Sequence, residues 1–256
     1  MRFFGDSDVG RRRANNQDKF VVKQYDCGAV LGVVCDGMGG AHGGETASAT
    51  AVKAFVETVD ALMKNIAPGD RKPPKNRIAE CLVEAVCKAN EQVFAESERD
   101  PALSGMGTTL VSSLIYGSRI YTVNVGDSRM YLVDSGSIVQ VTHDHSYVQY
   151  LVDIGKLTSE EAESSSNKNI ITRAIGTEDE IEPDVYLTEV KSPGPDIHVL
   201  LCTDGLSNQL TRDEICSVVD AESGDAGSPE RAVGKLIAAA NEHGGADNIT
   251  AVLITL

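Results

Sequence analysis

Five aspartates stand where apolar runs end or begin. AVLGVVC leads into Asp36-Gly37, HVLLCT into Asp204-Gly205 and YTVNVG into Asp127, while Asp18 precedes FVV and Asp247-Asn248 precedes ITAVLITL. A carboxylate at a strand end is fixed by a rigid element yet faces solvent at the sheet rim, so it presents a ligand with little reorganisation. A single Asp-Gly is most often just a turn, because both residues favour turns. Five such acids are harder to assign to turns alone. No histidines or cysteines cluster beside them, so the donors are oxygens, which select hard ions: Mg²⁺ or Mn²⁺, with Ca²⁺ also compatible. Two such ions ~3.5–4 Å apart clamp the attacking and leaving oxygens of a phosphoryl displacement.

Asp36-Gly37-Met38-Gly39-Gly40 adds a backbone element to that chemistry. The glycines let the main chain approach a ligand closely, so the Gly37 carbonyl is a further candidate oxygen donor. A tight strand-to-helix turn explains the same glycines, and both readings can hold. Arg13 stands five residues before Asp18, in RRRANNQD. A guanidinium binds phosphate through two parallel hydrogen bonds, offsetting the repulsion from nearby carboxylates. The bland alternative is a solvated run of arginines.

The elements that must position these residues are short. Apolar or alternating runs predict strands at 19–24, 29–35, 108–116, 120–125, 130–133, 138–141, 198–202 and 249–256. The stretch 119–141 reads as a meander with turns at 126–129 and 135–137. Amphipathic helices are expected at 45–65, 76–98 and 229–242, with a loop at 67–75. Residues 144–172 interrupt the strands with two short helical patterns and a serine-rich tail, and read as an inserted flap. Thr158 is placed to cap the second of these helices and Asp144 to cap the first. Helices grouped between sets of antiparallel strands imply an α+β fold.

Composition narrows the partners. Lys and Arg total 23 against 38 Asp and Glu, a net charge of −15 over 256 residues. Such a surface repels phosphate backbones and anionic lipid, which argues against nucleic acid and membrane. The apolar run at 29–35 is far short of the ~20 residues of a membrane-spanning helix. Cys27, Cys35, Cys81, Cys87, Cys202 and Cys216 form no CxxC pair, and cysteines beside apolar runs suit a reducing compartment. The cytoplasm is therefore expected.

Six short motifs occur in order: R-x-x-N-Q-D at 13–18, D-G-M-G-G at 36–40, G-T-T at 107–109, V-G-D-S-R at 125–129, T-D-G-L at 203–206 and D-N-I-T at 247–250. Together they resemble the PP2C (PPM) family of metal-dependent protein serine/threonine phosphatases, over nearly the whole chain. DGMGG and the ITRAIG that ends the flap resemble its bacterial branch. The resemblance implies a central sandwich of two antiparallel β-sheets flanked by helices on both faces (αββα). It implies one domain over 1–256 with a flap at about 144–176. It implies Mn²⁺ or Mg²⁺, two ions in the core site and a third beside it. Asp36 would bridge the two ions, the Gly37 carbonyl would join one, and Asp204 and Asp247 would complete the other. Asp18 would act through water, Arg13 would hold the substrate phosphate, and Asp127 with Asp204 would meet the third ion.

The implied reaction is hydrolysis of phosphoserine and phosphothreonine by metal-activated hydroxide, reversing a protein kinase. The implied partners are phosphoproteins and a cognate Ser/Thr kinase, and the implied state is a monomer. The alternative is a catalytically silent phosphoprotein-binding domain of the same fold. Three positions depart from the family pattern. Gln17 replaces the usual Glu. Met38 stands where eukaryotic members have a His that is a proposed general acid. Ala41 stands where many bacterial members have His, with His42 one step on. Water or His42 are the two candidate proton donors to the leaving oxygen.

Overall fold

The computed structural model describes residues 1–66, 75–224 and 226–256. The expected loop at 67–75 lies, through residue 74, outside the described residues. Among the described residues, eleven strands form two antiparallel sheets, in keeping with the expected sandwich. In the first sheet β1 (Arg2–Asp8), β11 (Ile249–Thr255), β10 (Ile197–Cys202), β7 (Arg129–Asp134) and β8 (Ser137–Gln140) lie in that order. The second runs β2 (Asp18–Gln24), β3 (Val30–Met38), β5 (Leu110–Tyr116), β6 (Arg119–Val125) and β9 (Asp184–Glu189), with the two-residue β4 (Gly107–Thr108) on the end of β3.

Both faces of the inner strands are apolar, and period two sends them to different cores. From β3, Leu31, Val33 and Cys35 pack against α1 (Gly40–Met63) and α2 (Lys75–Arg99), while Val30 and Val34 enter the space between the sheets. From β10 and β11, Leu200, Cys202, Ala251 and Leu253 meet α6 (Arg212–Asp220) and α7 (Pro229–Glu242). Val199, Leu201, Val252 and Ile254 from the same strands point between the sheets. Burial on both faces is why the run at 29–35 shows no alternation. It also produces the four layers: helices, sheet, sheet, helices.

Several boundaries differ from expectation. The stretch 119–141 is not a meander: β6 pairs with β5 and β9, while β7 pairs with β10 and β8. The chain changes sheets at Gly126–Ser128, which a local apolar pattern cannot reveal. The run at 108–116 is two strands, because Thr109 turns away to donate its N–H to Asp36 O at 2.9 Å. The strands β1 and β9 lie outside the expected set; RFFGDSD and DVYLTE carry too many acids to read as strands, and partners supply their register. The first helix starts at Gly40 instead of 45.

Candidate metal centre

The strand register sets the first pair of acids. Asp18, the first residue of β2, lies directly opposite Asp36 of β3. The Asp36 backbone is held on its other side: its N–H donates to Thr109 Oγ1 at 2.9 Å, and its carbonyl accepts from Thr108 Oγ1 at 2.8 Å. Thr109 Oγ1 also meets Ser128 Oγ at 2.7 Å, which joins this segment to the Asp127 turn. The end of β10 supplies Asp204 as the first residue of α5 (Asp204–Ser207), and the start of β11 supplies Asp247 two residues upstream. All five acids thus converge on one edge of the sandwich, where burial of charge couples them electrostatically.

Asp18 is buried, at 3% exposure. Its Oδ2 accepts two hydroxyl hydrogen bonds, from Thr250 at 2.6 Å and Thr203 at 2.9 Å. Thr203 precedes α5 in the N-cap position but caps nothing: its hydroxyl donates to Asp18 and accepts the Thr250 N–H at 3.0 Å. Asp18 Oδ1 is buried with no hydrogen-bond partner, as are Asp127 Oδ1 and Asp204 Oδ1. Burial pushes the Asp18 carboxyl up to about 7, with the two hydroxyls opposing and Asp204 and Asp247 adding to the rise. Asp36 is raised well above the usual range by burial and by Asp18, Asp204, Asp127 and Asp247. Asp127 is raised by burial and then by Asp204. Asp204 is raised by burial and then by Asp247.

Acids pressed together, with orphaned oxygens, are what a bound cation would relieve. Among the described residues, no three His, Cys, Asp or Glu side chains close around a point as a finished cage. The acids instead line an open edge, with Asp36, Asp204 and Asp247 partly accessible. An open oxygen edge suits Mg²⁺ or Mn²⁺, which take few protein ligands and keep waters. The donor set therefore fits hard divalent ions.

Close backbone packing fixes the loops that carry the acids. A Cβ at Gly37 would lie 1.9 Å from Gly44 O, and one at Gly205 would lie 1.9 Å from Asn248 O. The Asn248 side chain ties down the N-terminal loop, donating to Val9 O and Asn15 O at 2.9 Å each and accepting Gln17 N–H at 2.8 Å. The Gln17 amide donates to Gly40 O at 3.1 Å, joining the residue before β2 to the start of α1. Arg13 lies at the rim with Nη2 2.7 Å from Asp247 Oδ2. Met38 ends β3, and His42 is exposed in the first turn of α1.

The flap lies between β8 and β9. It holds α3 (Tyr147–Asp153) and α4 (Ser159–Glu163), and Thr158 forms the expected cap with Glu161 as a reciprocal box. Asp144 is not the cap of α3: Ser146 is, accepting from Gln149 N–H. Asp144 is buried and grips Arg129 instead, with Nη2 at 2.6 Å and Nε at 3.0 Å. The half-buried Arg129 guanidinium pairs with the buried Asp144 carboxylate, and that pairing takes the carboxylate away from any capping role. Lys168, in the flap's tail, and Arg129 both oppose the rise in the Asp204 carboxyl.

Residue spacing alone did not reveal the roles of Thr203, Thr250, Asn248, Asn208 and Arg129. Thr203, Thr250, Asn248 and Arg129 sit within the motifs. Asn208 carries one local signal, lying four residues after Asp204, to which it donates at 2.9 Å.

A family model described as protein phosphatase 2C matches residues 7–233. The chain is 34% identical over 254 residues to the serine/threonine phosphatase stp of Listeria welshimeri, spanning 97% of this chain and 93% of that protein. The crystal structure of the Mycobacterium tuberculosis serine/threonine phosphatase PstP/Ppp is similar at a TM-score of 0.84 and 34% identity, over 100% of this chain and 98% of that one. The catalytic domain of PstP in complex with two manganese ions gives a TM-score of 0.79 at 33% identity, over 98% and 96%.

Proposed function

The chain belongs to the protein phosphatase 2C family, and on that premise we propose that it is an enzyme, a metal-dependent protein serine/threonine phosphatase whose acidic edge holds the metal. The observation that carries this reading is the set of three buried, unpartnered carboxylate oxygens on Asp18, Asp127 and Asp204. Asp36, the Gly37 carbonyl, Asp204 and Asp247 would hold two Mn²⁺ or Mg²⁺ ions. Asp127 with Asp204 would hold a third, and Asp18 would act through water. The two manganese ions of the PstP catalytic domain support this count for the core site. Bound, the ions supply Lewis acidity toward water and phosphoryl oxygens.

The chain's own residues do the rest. Thr203 and Thr250 hold Asp18 Oδ2, which leaves Oδ1 to orient water. Arg13 engages Asp247 through Nη2 and offers the rest of its five-donor fork to the substrate phosphate. Met38 has no proton to give. The leaving serine or threonine oxygen takes its proton from water or from His42, which is exposed in the first turn of α1. The full set of acids favours catalysis over a silent phosphoprotein-binding domain.

The substrates are phosphoproteins, opposed by a Ser/Thr kinase, and the enzyme works as a monomer in the cytoplasm. Among the described residues no helix is long and apolar enough to cross a membrane. Residues 1–256 form one domain, with 144–176 as a flap over the site. The assignment is tested by hydrolysis of a phosphothreonine peptide with Mn²⁺ or with EDTA. Asp36→Asn is expected to lose nearly all Mn²⁺-dependent turnover, because the amide removes a carboxylate that would serve both ions. Wild-type turnover by the variant, or turnover indifferent to EDTA, would overturn it.

A further inference from the structure

The flap starts against the turn that carries Asp127, and two consecutive residues hold that turn from either side. Asp144 pairs with Arg129, two residues after Asp127. His145 pairs with Gly126, one residue before it: Gly126 N–H donates to His145 Nδ1 at 3.1 Å, and His145 N–H donates to Gly126 O at 2.9 Å. Asp144 and His145 are each 7% exposed. Within the turn, Ser128 Oγ meets Thr109 Oγ1 at 2.7 Å. Asn124 Nδ2 reaches Gly126 O at 3.2 Å and His143 O at 3.0 Å, binding the same two strands of chain together.

The far side of the imidazole meets the other end of the flap. Its Nε2 lies 3.3 Å from Asp184 Oδ2 and 3.1 Å from Arg173 Nη1. Arg173 closes on Asp184 Oδ1 at 3.0 Å and on Glu182 O at 2.9 Å. The main chain repeats the link, with Thr172 N–H donating to His145 O at 2.8 Å. Because the Gly126 N–H can only donate, the neutral ring carries its proton on Nε2, directed at Asp184. Burial, then Arg173, lowers the imidazole pKa and keeps the ring neutral.

We propose that His145 is a positioning residue that ties both ends of the flap to the Asp127 turn, so that flap placement and the seat of Asp127 opposite Asp204 are set together. A substrate protein pressing on the flap would then be felt at Asp127. This role rests on the phosphatase reading only in making the Asp127–Asp204 pair matter to turnover; the linkage itself is mechanical.

The test compares His145→Ala and His145→Asn in the full metal-free chain by amide hydrogen exchange. Asn Oδ1 stands where Nδ1 does and can accept the Gly126 N–H, but the side chain stops short of Arg173 and Asp184. His145→Ala is expected to speed exchange about tenfold both in the Gly126–Arg129 turn and in the flap, the loss expected of unmade buried hydrogen bonds. His145→Asn is expected to restore the turn and leave the flap fast. Calorimetry with Mn²⁺ alone is expected to show weaker binding by His145→Ala, recovered in His145→Asn.

The proposal is overturned if His145→Ala loosens the flap while the turn exchanges as in wild type, or if its Mn²⁺ binding is unchanged. Should His145→Ala fail to fold, His145→Asn decides: unchanged flap exchange overturns the proposal. Exchange does not depend on hydrolysis. Coupled exchange in a protein without phosphatase activity would sink the functional reading and spare the linkage, and an active enzyme with uncoupled exchange would do the reverse.

Discussion

Asp18 shows most clearly what the site asks of a single residue. Its carboxyl is pushed up to about 7, first by burial, against an unfolded value near 3.9. Between those two values the folded protein holds a proton that the unfolded chain has released. Stability from this group is therefore greatest below about pH 4 and is lost as pH rises toward 7. Asp36, Asp127 and Asp204 shift in the same direction. The expected outcome is that the metal-free protein melts lower at pH 7.5 than at pH 5.5, and that Mn²⁺ at pH 7.5 reverses the drop. Asp18→Asn should flatten this slope, since an amide does not titrate. An unchanged slope in the variant would remove Asp18 as its source. Little of this was legible beforehand. The type and position of Asp18 were readable, but its two hydroxyl partners come from residues 185 and 232 positions away.

At the scale of elements, the loops carrying Asp204 and Asp247 are spaced by backbone contact at Gly205. Gly205→Ala places a methyl against Asn248 O, and overpacking of this kind costs about 1–3 kcal/mol. The expected outcome is a lower melting temperature together with a higher Mn²⁺ concentration for half-maximal activity. A lower melting temperature with unchanged Mn²⁺ dependence would mean that this contact does not set the spacing of the two acids. Elements with strong local signals were readable from the chain. The helix Pro229–Glu242 has Ser at its N-cap, Pro at its start and one apolar face, and it forms at the expected residues. Elements set by neighbours were not. Strand β9 alternates exposed and half-buried residues at a sheet edge and forms because β6 offers six paired positions. The 119–141 run looks continuous, yet its halves belong to different sheets.

For the whole molecule, the net charge of −15 acts on every approaching substrate. A negative field draws cationic segments and repels anionic ones, and salt screens both effects over ~8–10 Å. Phosphothreonine peptides flanked by Lys and Arg are expected to show several-fold higher kcat/KM at low salt than peptides flanked by Asp and Glu. The gap should narrow at ~0.5 M salt, where the screening length is shorter. A preference that ignores salt would assign the selectivity to local contacts. The sequence alone supplied the candidate acid set, its oxygen-donor chemistry, the apolar runs that become strands, and the charge. These are properties of residue type and spacing, which exist before folding. Only the tertiary structure decided that Asp18 faces Asp36, that Thr203 and Thr250 share one carboxylate oxygen, that Asp144 serves Arg129 instead of a helix end, and that His145 joins the flap to the Asp127 turn. Each of these depends on which strands lie side by side. Register is chosen by long-range packing of the three apolar cores, which no local stretch of chain encodes.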